Sequence, residues 1–256
     1  MTKKTKIFHL TLGDQGAWVT LVNGHARTHR DFKVLSAHLV KQGFRVLIMD
    51  NRGSGDSLVS EPFTMEDMAQ DIVDLWSELE IESSFVLGIS MGGMIALKLA
   101  KASEVLRGLI LVSSTPSLKY YLADSFEWST HQEGILNQLQ KYFHPKFYEA
   151  NKLLVNAMAK QLLQAQQVDP DQSLMQRAAI RMYEWQESYF KELNMPTLVI
   201  HGEDDEIISF EAAKYLNTQI VSSQLISYPE TGHLILAEKP ARFYEDVSNF
   251  LKSQSE

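Results

Sequence analysis

Residues Gly88-Ile89-Ser90-Met91-Gly92, with Gly93 next, set one hydroxyl among glycines where an apolar run gives way to a helical pattern. SFVLGI (84–89) reads as a buried strand, and a helix is predicted from about Gly92 to Ala102. Glycine adds no side-chain packing and loses the most conformational freedom on folding, so three around one serine need a reason. A sharp strand-to-helix turn supplies one. It strains the serine backbone and requires small neighbours two residues before and two after. The helix starting there would aim free N–H groups and the positive end of its dipole at an oxyanion. Alone the pattern is weak, since three fixed letters recur by chance in roughly one chain in ten of this length. Its place between strand and helix makes it informative.

A serine hydroxyl is a poor nucleophile until a base takes its proton and a third group orients that base. Of the eight histidines, His38 falls in a predicted helix, His131 and His144 fall in a long helical stretch, and His201, at a strand end, reads as structural. His233 lies in TGH (231–233), a tight loop after the last strand pattern and before the final helix, and is assigned as the general base. HGEDDEI (201–207) follows another buried strand and offers Asp204 and Asp205 as the acid. STPSLK, after strand 108–113, has no carboxylate. The chain order Ser90, Asp, His233 is the one expected of one hydrolase class.

Positioning such groups requires a frame, and the sequence alternates strand and helix patterns. WVTLV (18–22), FRVLIM (44–49), SFVLGI (84–89), GLILVS (108–113), TLVIHG (197–202) and a run near 224–228 read as strands. Helical patterns occupy 31–42, 64–79 with Thr64 as N-cap, about 92–102, about 211–216 and 241–253. This alternation predicts an α/β fold, a mostly parallel central sheet with helices on both faces. Ligand sites in such sheets lie beyond the carboxyl ends of the strands, where Ser90 and His233 both fall. Residues 117–194 break the rhythm: they contain no convincing strand, and 12 of the chain's 25 aromatics fall in these 78 residues. They are expected to form a helical insertion folded over the sheet's edge, leaving 1–116 and 195–256 as the core. Trp128, Tyr142 and Trp185 are read as packing rather than ligand contacts. The tail, SQSE, is expected to fray.

GISMGG (88–93), NRGSGDS (51–57), HGEDDEI and TGHLILAEKP (231–240), in this order, resemble the α/β-hydrolase superfamily over essentially the whole chain. The resemblance implies the α/β-hydrolase fold, with 117–194 as a helical cap over the active site. It places the acid on Asp205, with Asp204 as the fallback. It also implies an oxyanion hole made of the Met91 backbone N–H and one from the loop after strand 18–22. Family members usually carry His-Gly there; this chain has Asn23-Gly24-His25-Ala26, and by position His25 supplies the second N–H. A serine rather than an aspartate nucleophile disfavours the dehalogenase and epoxide-hydrolase branches. The expected reaction is hydrolysis of a small-molecule carboxylic ester through an acyl-enzyme on Ser90, with His233 and Asp205. Thioester, lactone or carbon–carbon bond hydrolysis would use the same groups, and a ligand receptor on the same fold is the alternative of a different class.

Composition narrows the partners. A net charge of −8 argues against nucleic acid or an anionic membrane. The absence of cysteine excludes disulfides, thiolate metal sites and a cysteine nucleophile. NRGSGDS lacks the third glycine of a dinucleotide fingerprint, having Leu58 there, and Asp56 would repel a pyrophosphate. His25 and His29 are four apart but lie in a loop without H-E-x-x-H, so neither metal nor cofactor is expected. Lys3, Lys4 and Lys6 precede a stretch too short and polar for a signal peptide, and no apolar run approaches the ~20 residues of a membrane span. The expected location is cytoplasmic; the oligomeric state is not legible.

Overall fold

The structure, a computed structural model, describes residues 6–122, 128–168 and 170–255. Lys3, Lys4 and Glu256 lie outside the described residues. One seven-stranded sheet has the order β1-β3-β2-β4-β5-β6-β7, formed by β1 (His9–Leu12), β2 (Trp18–Val22), β3 (Arg45–Met49), β4 (Ser84–Ile89), β5 (Leu106–Val112), β6 (Thr197–Gly202) and β7 (Ser223–Tyr228). The pairings from β3 through β7 are parallel, and β1 runs antiparallel to β3 at the edge. The parallel frame matches the sequence reading. Strand β1 was not anticipated, because an edge strand with no fully buried position writes no hydrophobic period into HLTL.

The central strands are buried on both faces, and their side chains divide between two apolar layers with the period of two that a pleated strand imposes. Val86, Leu109, Leu111 and Val199 face α2 (Met65–Glu78), α3 (Met91–Ala102) and α8 (Phe210–Gln219). Phe85, Leu87, Ile110 and Ile200 face the other way, toward α1 (Lys33–Lys41) and α10 (Pro240–Ser253). Helix α2 begins at Thr64 as expected. The Thr64 hydroxyl accepts the Asp67 N–H, and the Asp67 carboxylate accepts the Thr64 N–H at 2.8 Å, so each satisfies a donor the helix end would leave bare. The tail does not fray through Ser255: the Gln254 N–H bonds to Phe250 O and the Ser255 N–H to Lys252 O. Burial of Phe250 and Leu251 anchors that last turn.

The long connection from β5 to β6 carries α4 (Gln132–Gln140), α5 (Pro145–Ala150), α6 (Lys152–Val168) and α7 (Pro170–Arg181), with no strand among its described residues. Ile135, Leu139, Phe143, Val155, Met158 and Leu162 form a separate apolar cluster there. Leu234 and Ala237, at and within the short helix α9 (Ile235–Glu238), pack against it. The helices therefore sit over the carboxyl ends of the strands, above the loops that carry Ser90 and His233.

Candidate active site

Ser90 stands between β4 and α3 with φ 55° and ψ −117°, a conformation that non-glycine residues adopt only under constraint. The constraint is visible in its neighbours. A Cβ on Gly88 would lie 2.3 Å from Gly92 O, and one on Gly92 would lie 2.1 Å from Val22 O. A Cβ on Gly93 would lie 2.3 Å from the Ser114 hydroxyl. The three glycines let α3 start directly against the ends of β2, β4 and β5, and that contact forces the bend at Ser90. The Ser90 N–H bonds to Val112 O at 2.8 Å, and the Ser114 hydroxyl bonds to Ser90 O at 2.7 Å, pinning the turn from both sides. Among the described residues the Met91 N–H has no acceptor, as expected in the first turn of a helix.

The loop after β2 runs against this turn: a Cβ on Gly24 would be 3.3 Å from Ser90 Cβ. Asn23 organises the loop. Its Oδ1 accepts the Gly24 N–H at 2.9 Å, its Nδ2 donates to Thr28 O and Asp31 Oδ2, and its carbonyl accepts from Asn51 Nδ2. The Ala26 N–H bonds to Gln176 Oε1 and the Arg27 N–H to Gly24 O. Of the N–H groups from 24 to 27, the one at His25 is left without an acceptor among the described residues. The His25 ring points away, its Nε2 3.1 Å from both the carbonyl and the hydroxyl oxygen of Ser173 on α7. Burial lowers its pKa to about 4, against the raising effect of the Ser173 bond, with Arg177 lowering it further. At neutral pH it is an uncharged clamp, and His29 bonds to Asp50 instead.

His233 is buried, and its Nδ1 lies 2.8 Å from Asp205 Oδ2. Facing a carboxylate, Nδ1 carries the proton, leaving Nε2 as the basic nitrogen. Of the adjacent aspartates Asp205 is the one that is buried and faces His233, while Asp204 is exposed. Asp205 Oδ1 accepts the N–H groups of Ile207 (2.8 Å) and Ile208 (2.9 Å). Burial alone would raise the Asp205 pKa; the charge of His233 and hydrogen bonds from His201 and His233 overcome it and hold the carboxyl well below its usual range. The His233 loop is fixed from above, the His233 N–H bonding to Tyr142 O at 2.9 Å and the Tyr142 ring meeting the imidazole edge-on.

Ser90 and His233 line one cavity of about 300 Å³. Among the described residues no hydrogen bond joins the Ser90 hydroxyl to His233, an arrangement that commonly tightens only when substrate is bound. The other walls are mainly apolar, with Leu139, Met158 and Ile235 among them. Trp128 and Tyr142, read from sequence as packing residues, also line this cavity. Periodicity could not separate the two roles, because the same ring packs against the helical cluster on one side and bounds the cavity on the other. Trp185 packs at the margin of the main core, as expected.

Sequence reasoning missed the groups that hold the site together. Glu238 is buried beneath the His233 loop and accepts the N–H groups of Gly232 (2.9 Å) and His144 (3.2 Å). Burial pushes its pKa up to about 7, against the lowering effect of those two hydrogen bonds. Gln172 and Gln176, one turn apart on α7, clamp the 51–59 loop: Gln172 bonds to both backbone groups of Val59, and Gln176 Nε2 donates to Arg52 O. The signal available for Glu238 was its position five residues after His233. The glutamines carried none.

The chain matches the family described as "Serine aminopeptidase, S33" over residues 13–240. It belongs to that family of α/β-hydrolases. Among curated relatives, the hydrolase is 26% identical to 3-oxoadipate enol-lactonase 1 of Acinetobacter baylyi, over 84% of this chain and 81% of that one. It is 24% identical to the bifunctional esterase/perhydrolase DCH of Acinetobacter calcoaceticus over 96% of both. Among solved structures, a meta-cleavage product hydrolase of Pseudomonas fluorescens superposes with a TM-score of 0.84 at 20% identity, over 96% of this chain and 94% of that one. Likeness at that identity establishes the fold, a seven-stranded mostly parallel sheet flanked by helices. Among the described residues of the hydrolase, no helix is long and apolar enough to cross a membrane, and no cluster of His, Asp and Glu has metal-binding geometry.

Proposed function

We propose that this α/β-hydrolase is a serine esterase that cleaves a small, largely apolar carboxylic ester, with Ser90 as nucleophile, His233 as general base and Asp205 as its orienting acid. The observation that carries this reading is the strained Ser90 turn sharing one apolar cavity with a buried His233–Asp205 pair. The Ser90 hydroxyl attacks the ester carbonyl carbon as His233 Nε2 takes its proton, and Asp205 stabilises the resulting imidazolium. The negative charge that develops on the carbonyl oxygen meets the unpaired backbone N–H groups of His25 and Met91, at the positive end of α3. Collapse of the tetrahedral species breaks the bond to the leaving alcohol, which departs with the proton from His233. Water, deprotonated by the same nitrogen, then cleaves the acyl-enzyme to the free acid and restores Ser90. Residues 117–194 act as the cap that excludes water and shapes the acyl pocket. The relatives named as an esterase and a lactonase favour carboxylic esters and lactones over other acyl bonds.

Intact-protein mass after fluorophosphonate treatment tests the reading, alongside hydrolysis of short and long p-nitrophenyl esters. The expected result is a single adduct, absent in Ser90→Ala, with turnover that falls at least a thousand-fold in Ser90→Ala and His233→Ala. Wild-type protein that takes up no reagent, or turns over esters equally well without Ser90, would overturn it.

A further inference from the structure

His201, which the sequence presents as a structural residue at the end of β6, reaches the acid of the proposed site. Its Nε2 lies 3.1 Å from Asp205 Oδ2, the same oxygen that receives His233 Nδ1 at 2.8 Å. Both His201 and Asp205 are buried. The second neighbour of Nε2 is Ile208 O, at 2.9 Å. Both neighbours are acceptors, so Nε2 must carry the proton. Nδ1 is buried and has no partner among the described residues; a proton there would be a donor with nothing to bond. The geometry therefore assigns a neutral imidazole protonated at Nε2, whose N–H bonds to Ile208 O and presents its positive edge to Asp205 Oδ2 at 3.1 Å.

We propose that His201 is a positioning residue that acts through Asp205 on His233; the proposal rests on the reading of Ser90, His233 and Asp205 as the catalytic groups. An ionised carboxylate has about four lone-pair sites. In this protein Oδ1 accepts the N–H groups of Ile207 and Ile208, and Oδ2 lies against both His233 Nδ1 (2.8 Å) and the polar edge of His201 (3.1 Å). Two donors from the turn that carries Asp205, with the His201 contact from the strand end before it, fix the carboxylate plane independently of His233. The fourth site then points at His233 Nδ1 and holds the imidazole for proton transfer at its far nitrogen. Bracing the 202–208 turn would need only the bond to Ile208 O. The contact to Oδ2 is what couples His201 to the reaction. Among the described residues, Tyr121 and Tyr142 from the β5–β6 connection and Glu238 from α9 also lie close enough to couple to the carboxylate through its charge.

Two substitutions separate positioning from packing. In His201→Phe the ring volume stays and the donor goes; in His201→Gln an amide N–H returns at the same reach, three bonds beyond Cβ. With a p-nitrophenyl ester, His201→Phe is expected to lose about ten- to a hundred-fold in kcat, the scale of one hydrogen bond to a charged group, with KM within about two-fold. His201→Gln should recover to within about three-fold of wild type. On unaltered protein, ¹⁵N-edited histidine spectra should show His201 protonated at Nε2 alone, which requires no variant to fold. Equal kcat in the Phe and Gln variants, or a proton on His201 Nδ1, overturns the proposal. If instead wild-type protein forms no fluorophosphonate adduct on Ser90, the catalytic reading itself fails and takes this one with it. Normal labelling with an unaffected His201→Phe defeats the His201 proposal alone.

Discussion

Ser90 holds a backbone conformation that stabilises nothing by itself. A φ of 55° outside glycine costs about 1–3 kcal/mol, sustained by the packing of α3 against three strand ends. Removing the side chain while keeping Cβ leaves that strain in place; removing Cβ as well relieves it. Ser90→Gly is therefore expected to be more stable than Ser90→Ala by about 1 kcal/mol, read as the difference between their urea unfolding free energies, while neither variant turns over ester. Equal stabilities would mean that the turn is relaxed and that its geometry has another cause. Legibility was uneven at this scale. Ser90 and His233 were readable because glycines and a tight TGH loop mark them locally. Asp205 was separated from Asp204 only by resemblance; in the structure Asp205 is the buried one of the two and faces His233.

Helix α7 shows what an element contributes from a distance in sequence. Gln176 reaches back 150 residues to the Ala26 N–H and 124 to Arg52 O, so one amide joins the loop after β2 to the loop after β3. With Gly24 held by Asn23 and Ala26 held by Gln176, the His25 N–H between them is kept without an acceptor among the described residues. Gln176→Ala strands a donor and an acceptor and should destabilise the protein by about 1–3 kcal/mol in chemical denaturation. Ester turnover should fall with it, because the proposed second oxyanion donor loses its support; a variant with wild-type kcat would show that the loop holds its shape without α7. Binary pattern identified α7 as helical sequence but could not say which loop its polar face would meet.

Over the whole molecule, two ionisable groups tie the β5–β6 helices to the sheet, and their effects on stability have opposite signs. Glu238 spans Gly232 and His144 with its pKa raised to about 7, above the ordinary glutamate value. The folded protein therefore holds a proton that the unfolded chain has released, so this group's contribution is full below about pH 4.5 and is lost as pH rises to about 7. His25, bonded to Ser173 with its pKa lowered to about 4, works the other way: its contribution is lost as pH falls from about 6.5 to 4. In wild type the two oppose each other between about pH 4.5 and 6.5. In Glu238→Gln only the His25 dependence remains, so the melting temperature should drop more steeply on acidification through that window than it does in wild type. Parallel curves for the two proteins would show that Glu238 does not titrate there.

The alternation of strands and helices, the glycine-bounded serine and the order of serine, acid and histidine are local features, written in neighbouring residues, and the sequence by itself determined them. It also marked 117–194 as helical, since the lack of strand patterning is local too. What only the tertiary structure decided are contacts between residues far apart in the chain: His233 with Asp205 across 28 residues, Gln176 with Ala26 across 150, and Glu238 with His144 across 94. Tyr142 and Trp128 as cavity walls belong to the same class. The period of a helix records which face is apolar. Whether that face meets another side chain or an open cavity depends on where the two ends of the chain have been brought, and no stretch of sequence contains that information.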